Sequence, residues 1–279
     1  MSNLSDLLDF DLSDTDGFPQ LRCRLDPANL DAAAGALADA IAYQRIGVNR
    51  RRHQLWRSRR LNPSETPIEE SDLQILKAGL LQNVGTPDQP AQDNHLHGLV
   101  AEAIWHEVVS NIDAGLGYPL RVEGHAWSVT DPGGDGLTVY EIAARGYCFR
   151  LWESKHHGTG NPVRETVNRA CQQVKSQSLS YLARFSLVAQ RRDDDKALAR
   201  FYGSLADLWV DRDPAAGVGI SVGTGSDVDA DDCFDRVTDY FDFDPSQHQA
   251  QLHLMGEFGE LARRVRVQLW KGCGLWTEP

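Results

Sequence analysis

Residues 133–157, GGDGLTVYEIAARGYCFRLWESKHH, decide how the chain is read. Two runs of strand-forming residues flank a short break at about Ala144 to Gly146, the pattern of a β-hairpin. A tight antiparallel turn centred near Arg145 would set residue 137 opposite 153 and residue 135 opposite 155. Side chains alternate faces along a strand, so Asp135, Leu137 and Val139 point one way, as do Phe149, Leu151, Glu153 and Lys155. Closing the hairpin puts both sets on one surface of the sheet. Its lower part is expected to be apolar core, and its upper end gathers Asp135, Glu153 and Lys155. Glu141 shares the Asp135 face but falls near Phe149, away from Glu153.

That gathering has a chemical meaning. Two carboxylates a few ångströms apart repel one another unless a cation lies between them. Hard oxygen ligands suit Mg²⁺ or Mn²⁺, and such an ion polarises a phosphoryl oxygen and acidifies a bound water. The chain has five lysines against 23 arginines, so a lysine at 155 is a choice. An ammonium is a compact point charge that can orient a water or help to deprotonate it, whereas the broad, always-charged arginine fork does neither well. The plainer reading is a surface ion pair, since Glu-x-Lys is common on strands. The Gly-Gly-Asp-Gly entry, the shared face and the flanking helix signals favour the catalytic reading.

Outward from the hairpin, residues 94–112 place Leu96, Leu99, Val100, Ile104 and Val108 near helical spacing. Residues 120–129, 136–143 and 147–155 read as three strands, 163–191 and 195–209 as helices, 217–222 and 251–255 as strands, and 257–270 as a final helix. This order predicts an α/β fold, a mixed sheet flanked by helices. Ahead of it, residues 1–20 read as loose. Residues 27–44 read as a helix capped by Asp26 before Pro27, which the arginine-rich segment could extend, and Ser71 to Gln82 as a short amphipathic helix. The expected division is a helical N-terminal region with an acidic tail over 1–92 and an α/β domain over 93–279.

The net charge of −12 argues against a general polyanion-binding coat, but the charge is unevenly spread. Residues 45–60, RIGVNRRRHQLWRSRR, hold seven arginines and no acid, and residues 227–244 hold eight aspartates and one arginine. Arg50, Arg51, Arg52, Arg57, Arg59 and Arg60, with Trp56 interleaved, could grip a phosphate backbone. They could equally form a solvated helix face or meet an acidic surface, and the 227–244 stretch could cover them in a resting state. Five scattered cysteines without a C-x-x-C argue against a disulfide framework or a cysteine–zinc site. With no apolar run long enough for a membrane span and no signal-peptide pattern, a cytoplasmic location is expected.

With these residues in view, the chain resembles the PD-(D/E)xK nuclease superfamily. The resemblance rests on Asp135 in GGDG and on Glu153 and Lys155 in WESK, and it runs from residue 94 to about 255. It implies a restriction-endonuclease-like αβββαβ core and hydrolysis of phosphodiester bonds in DNA, with RNA not excluded. It further implies Mg²⁺ or Mn²⁺ held by Asp135, Glu153 and Glu102, the last in HGLVAEAIW. Lys155 would position the nucleophile, and Gln173, or Gln177 with Tyr181, would align it from the following helix. Apart from the resemblance, His95, His97, His156 and His157 invite a zinc reading, but without cysteine support contacts of His156 and His157 with phosphate or solvent at the mouth of the site are expected. Asp131, in an Asp-Pro that reverses the family's Pro-Asp, competes with Asp135 as the first carboxylate. Within the superfamily the layout is similar to the nuclease subunit of the Hachiman antiphage system, which implies a helicase partner and a role in antiviral defence.

Other motifs carry less. Gly219-Ile220-Ser221-Val222-Gly223 fits G-x-S-x-G, but a nucleophile elbow needs a strand before the first glycine and a helix after the last. Asp227, Asp229 and Asp231 have EF-hand spacing without the glycine at place six or the glutamate at place twelve. His125 is expected to be structural. The alternative of another class is a non-catalytic subunit that uses the same α/β core to bind a partner or nucleic acid.

Overall fold

The fold is described from a computed structural model over residues 3–15, 17–47, 50–62, 67–124, 134–143, 146–189, 195–225 and 232–276. The chain begins with a hairpin, β1 (Leu8–Thr15) and β2 (Phe18–Leu25), where a loose segment was expected. Leu8, Phe10 and Leu12 alternate with Asp9 and Asp11, a strand pattern that the acidic composition of the segment outweighs at the level of sequence. An edge strand has an open side, so it tolerates such acids. β2 carries the burial, with Leu21, Cys23 and Leu25 inside the core.

Four helices follow: α1 (Leu30–Ile46), α2 (Arg50–Leu61), α3 (Glu70–Leu80) and α4 (Asp93–Asn111). Asp26 caps as expected, its carboxylate accepting from the Ala28 N–H at 2.9 Å, though the capped segment is a 3-10 turn leading into α1. The arginine-rich segment does not extend α1. Gly47 closes that helix, its N–H donating to the Tyr43 carbonyl, and α2 starts afresh at Arg50.

Then come β3 (Arg121–Gly124), β4 (Gly136–Ile142), β5 (Gly146–His157), α5 (Val163–Ala189), α6 (Lys196–Val210), β6 (Val218–Thr224), the single turn α7 (Val237–Tyr240), β7 (His248–Leu254) and α8 (Phe258–Gly272). The strands form one mixed sheet of seven in the order β1-β2-β7-β6-β5-β4-β3. β2, β7, β6 and β5 run parallel, and β1, β4 and β3 pair antiparallel at the two sides. Residues on both sides of position 92 therefore share one sheet, and α1 shares a core with α8.

Alternation splits the sheet into two surfaces. Leu137, Val139, Phe149, Leu151, Ile220 and Leu252 pack beneath α5 and α6. The other surface lies under α1, α4 and α8, where Trp152 meets Trp105 of α4 with ring centroids 5.9 Å apart. The Trp152 indole N–H donates to the Thr138 hydroxyl at 2.9 Å. β6 and β7 are buried along their whole length, as central parallel strands covered on both faces must be.

The glycine at 219 belongs to this packing. A Cβ there would run into the Trp152 ring. Gly219→Ala is expected to cost about 1–3 kcal/mol by overpacking, read as a lower midpoint in chemical denaturation. An unchanged midpoint would refute the fit described.

Candidate active site

The hairpin forms with a different register from the one expected. Gly136 pairs with Trp152 and Leu137 with Leu151, which centres the turn on residue 144. A two-residue shift leaves every side chain on its expected face but changes the neighbours. Asp135 now lies beside Glu153 instead of Lys155: its N–H donates to the Trp152 carbonyl at 2.8 Å, and its Oδ2 accepts from the Ser154 N–H at 2.6 Å. The glycines on either side make this approach possible. A Cβ on Gly136 would strike the Trp105 ring, and one on Gly134 would crowd the Leu151 side chain.

β5 also outruns β4. Residues 153–157 continue to pair with β6 but have no β4 partner among the described residues. Asp135 stands at the corner so formed. Glu153 is fully buried, and its Oε1 lies 2.5 Å from Lys155 Nζ. Its Oε2 has no hydrogen-bond partner among the described residues. The Lys155 side chain is 32% exposed, so the ammonium links a buried acid to solvent.

The electrostatics follow from crowding. Burial and then Asp135 push the Glu153 carboxyl well above its ordinary range, against the pull of Lys155. Glu102, half-buried on α4, is raised by burial and by Asp135, and is partly offset by Arg45 and Lys155. Burial pulls the Lys155 ammonium down, but Glu153, Asp135 and Glu102 outweigh it and hold its pKa above the usual lysine value. Tyr181 of α5 is raised by burial and then by Asp135, Glu123 and Glu153. Glu102, Asp135, Glu153 and Lys155 thus form one interacting group, with Tyr181 and Arg45 in its field. Arg45 opens the arginine-rich segment, but nothing in the sequence linked it to these acids; it lies in the last turn of α1 and is brought in by the fold.

Because the folded Glu153 carboxyl titrates above its unfolded value of 4.5, its contribution to stability is whole below that value and is lost as pH rises through the folded pKa. Glu153→Gln is therefore expected to raise the melting temperature of the metal-free chain at pH 8. The gain should fade toward pH 4. A melting temperature at pH 8 equal to or below that of the unsubstituted chain would refute this balance of charges.

Gln173 is half-buried on α5, and its main-chain carbonyl accepts from the Ser176 hydroxyl at 3.1 Å. Gln177, one turn before Tyr181, has a buried Oε1 with no partner among the described residues. Asp131 and His125 lie outside the described residues, as do Asp227, Asp229 and Asp231.

Of the residues expected to meet phosphate, His156 is half-buried and His157 buried. His156 lies on the opposite sheet surface between His97 and Phe258, with centroids 4.5 and 4.4 Å away. Burial, then His97 and His157, push its pKa down to about 4, so the ring is neutral at pH 7. His157 is buried, with Nδ1 2.9 Å from the Thr166 hydroxyl, and burial lowers its pKa too. Neither ring offers a cation to phosphate.

On α2, Arg60 is only 6% exposed; it donates to the Gly35 carbonyl at 3.2 Å and stands over the Trp56 ring. Arg51 and Arg52 pair with Asp72 at 3.6 and 3.1 Å, and Arg57 with Asp39 at 3.4 Å. Arg59 is half-buried, and Arg50 is exposed. Much of the arginine excess is thus met by acids of the same chain. The described part of the acidic stretch does not cover these arginines: Asp235 pairs with Arg164 at 3.7 Å and Asp242 with Arg212 at 2.6 Å.

Ser221 is fully buried inside β6, 3.0 Å from His253 Nε2. A hydroxyl sealed in a central strand cannot meet a substrate, so no nucleophile elbow exists.

Mg²⁺ commonly takes one or two carboxylates and completes its shell with water and substrate phosphate. Asp135 and Glu153 meet that modest demand, and the unpartnered Glu153 Oε2 together with the raised Glu153 and Glu102 carboxyls is what a cation would relieve. Among the described residues no three His, Cys, Asp or Glu side chains are grouped to hold a metal ion. No helix among them is long and apolar enough to cross a membrane. Compared with known proteins, the chain matches no family model and no curated sequence.

Proposed function

We propose that the chain is a metal-dependent nuclease whose α4-β3-β4-β5-α5-β6 run is the αβββαβ core of the PD-(D/E)xK type. The observation that carries this reading is the buried Glu153, flanked by Asp135 and Lys155 where β5 outruns β4. In this reading Asp135 and Glu153 hold Mg²⁺ or Mn²⁺, with Glu102 behind them. The ion would supply Lewis acidity toward a phosphodiester and a more acidic bound water. Lys155, kept protonated by three acids, orients the attacking water and meets developing negative charge; accepting the water's proton is not a role its raised pKa supports. Tyr181 and Gln177 close the site from α5, ahead of Gln173. DNA is the proposed substrate, with a helicase partner and an antiviral setting as the finer proposal from the Hachiman resemblance.

The test incubates the chain with plasmid and with single-stranded DNA and RNA, with and without Mg²⁺. Cleavage that needs the metal and is lost in Asp135→Asn is expected. The non-catalytic alternative predicts no cleavage of any substrate and no Mn²⁺ binding that depends on Asp135, which a calorimetric titration reads directly.

A further inference from the structure

Away from the carboxylates, the end of α6 and the segment after α7 frame a cleft of about 280 Å³ that shares none of their residues. Its walls are aromatic. Trp209 meets Phe243 edge-to-face with centroids 4.9 Å apart, and Tyr240 stands beside them. All three rings are half-buried and so keep surface open to the cleft. The rim is charged. Lys175, exposed on α5, has no ion-pair partner among the described residues. Arg212 reaches Asp242 at 2.6 Å, both side chains being well exposed. Arg212 is also the one non-glycine among the described residues with positive φ, at 55°, a backbone state that side chains take at a cost.

Two cations against one acid leave this rim positive in a chain of net charge −12. Aromatic walls alone would suit a quaternary ammonium, but Lys175 and Arg212 repel one. A flat ring with an anionic group satisfies both parts, the ring by stacking and the anion at the rim. The volume, at the small end for ligand sites, fits a single nucleotide and not a dinucleotide. We propose that this cleft binds one nucleotide, its base stacked on the aromatic wall that Trp209, Phe243 and Tyr240 form together and its phosphate on Lys175 and Arg212. A free mononucleotide and one unit of a single strand present the same chemistry. The proposal stands apart from the cleavage reading.

The test is calorimetric titration in EDTA, which silences metal-dependent cleavage, with dAMP, deoxyadenosine and a five-residue oligodeoxyadenylate. Lys175→Glu reverses one rim charge. Arg212→Gly removes the other, and glycine takes positive φ freely, so the fold is kept. We expect dAMP to bind at least tenfold more tightly than deoxyadenosine, and each variant to weaken dAMP at least fivefold while leaving deoxyadenosine unchanged. An oligonucleotide bound tenfold more tightly than dAMP supports a strand as the source; equal or weaker binding supports a free nucleotide. The proposal is overturned if dAMP gives no binding, binds no more tightly than deoxyadenosine, or binds Lys175→Glu as well as the unsubstituted chain. Loss of dAMP binding in Lys155→Ala would also overturn it, by moving the nucleotide to the carboxylates.

Discussion

Lys155→Ala is expected to lower Mg²⁺-dependent cleavage about 10³-fold, in the range for removing a positioned charge from a reacting centre. The substitution leaves Glu102, Asp135 and Glu153 with only Arg45 as an identified counter-charge in their field. Divalent-ion binding should therefore hold or tighten while turnover falls, a split that unfolding would not produce. Lys155→Arg restores the charge but spreads it over a broad fork, and the expected rate stays below a tenth of the original. Initial rates on plasmid beside Mn²⁺ titrations give both readouts. Full activity in Lys155→Ala would remove the mechanism.

Trp56→Ala is expected to cost about 3–5 kcal/mol, the usual price of emptying a buried aromatic site. That would lower the melting temperature by roughly 6–20 °C for a domain of this size. Trp56 is fully buried, carries Arg60 over its ring, and lies so close to Gly272 that a Cβ there would strike the indole. The loss should appear as one cooperative shift of the whole chain, because α2 docks on α8 and α8 shares a core with α4. An early separate transition, with the rest melting unchanged, would show that the first helices fold on their own.

The hairpin, its shared face and the helices around it were legible because strand alternation and helix periodicity survive in the sequence. The register was not legible. A turn centred on 144 or 145 reads alike, and only the fit of Gly136 against Trp105 and Gly134 against Leu151 decides between them. The first strand carries the alternation of Leu8, Phe10 and Leu12 with Asp9 and Asp11, but its acids and the breakers Gly17 and Pro19 read as a loose tail. The pairing of the arginine-rich segment was not legible either. Its partners, Asp39 and Asp72, lie outside the segment and carry no pattern of their own. Arg45 and the His97–His156 contact depend on how α1 and α4 lie across the sheet, which no local stretch encodes.

The acids of β1 have a further effect. Among the described residues no strand pairs with the outer edge of this strand, and Phe10 and Leu12 are exposed along it. Two copies laid edge to edge would bring Asp9, Asp11 and Asp14 against the same residues, a like-charge fence at neutral pH. With those aspartates changed to asparagine, light scattering should show the chains pairing edge to edge, while the unsubstituted chain at the same concentration stays monodisperse.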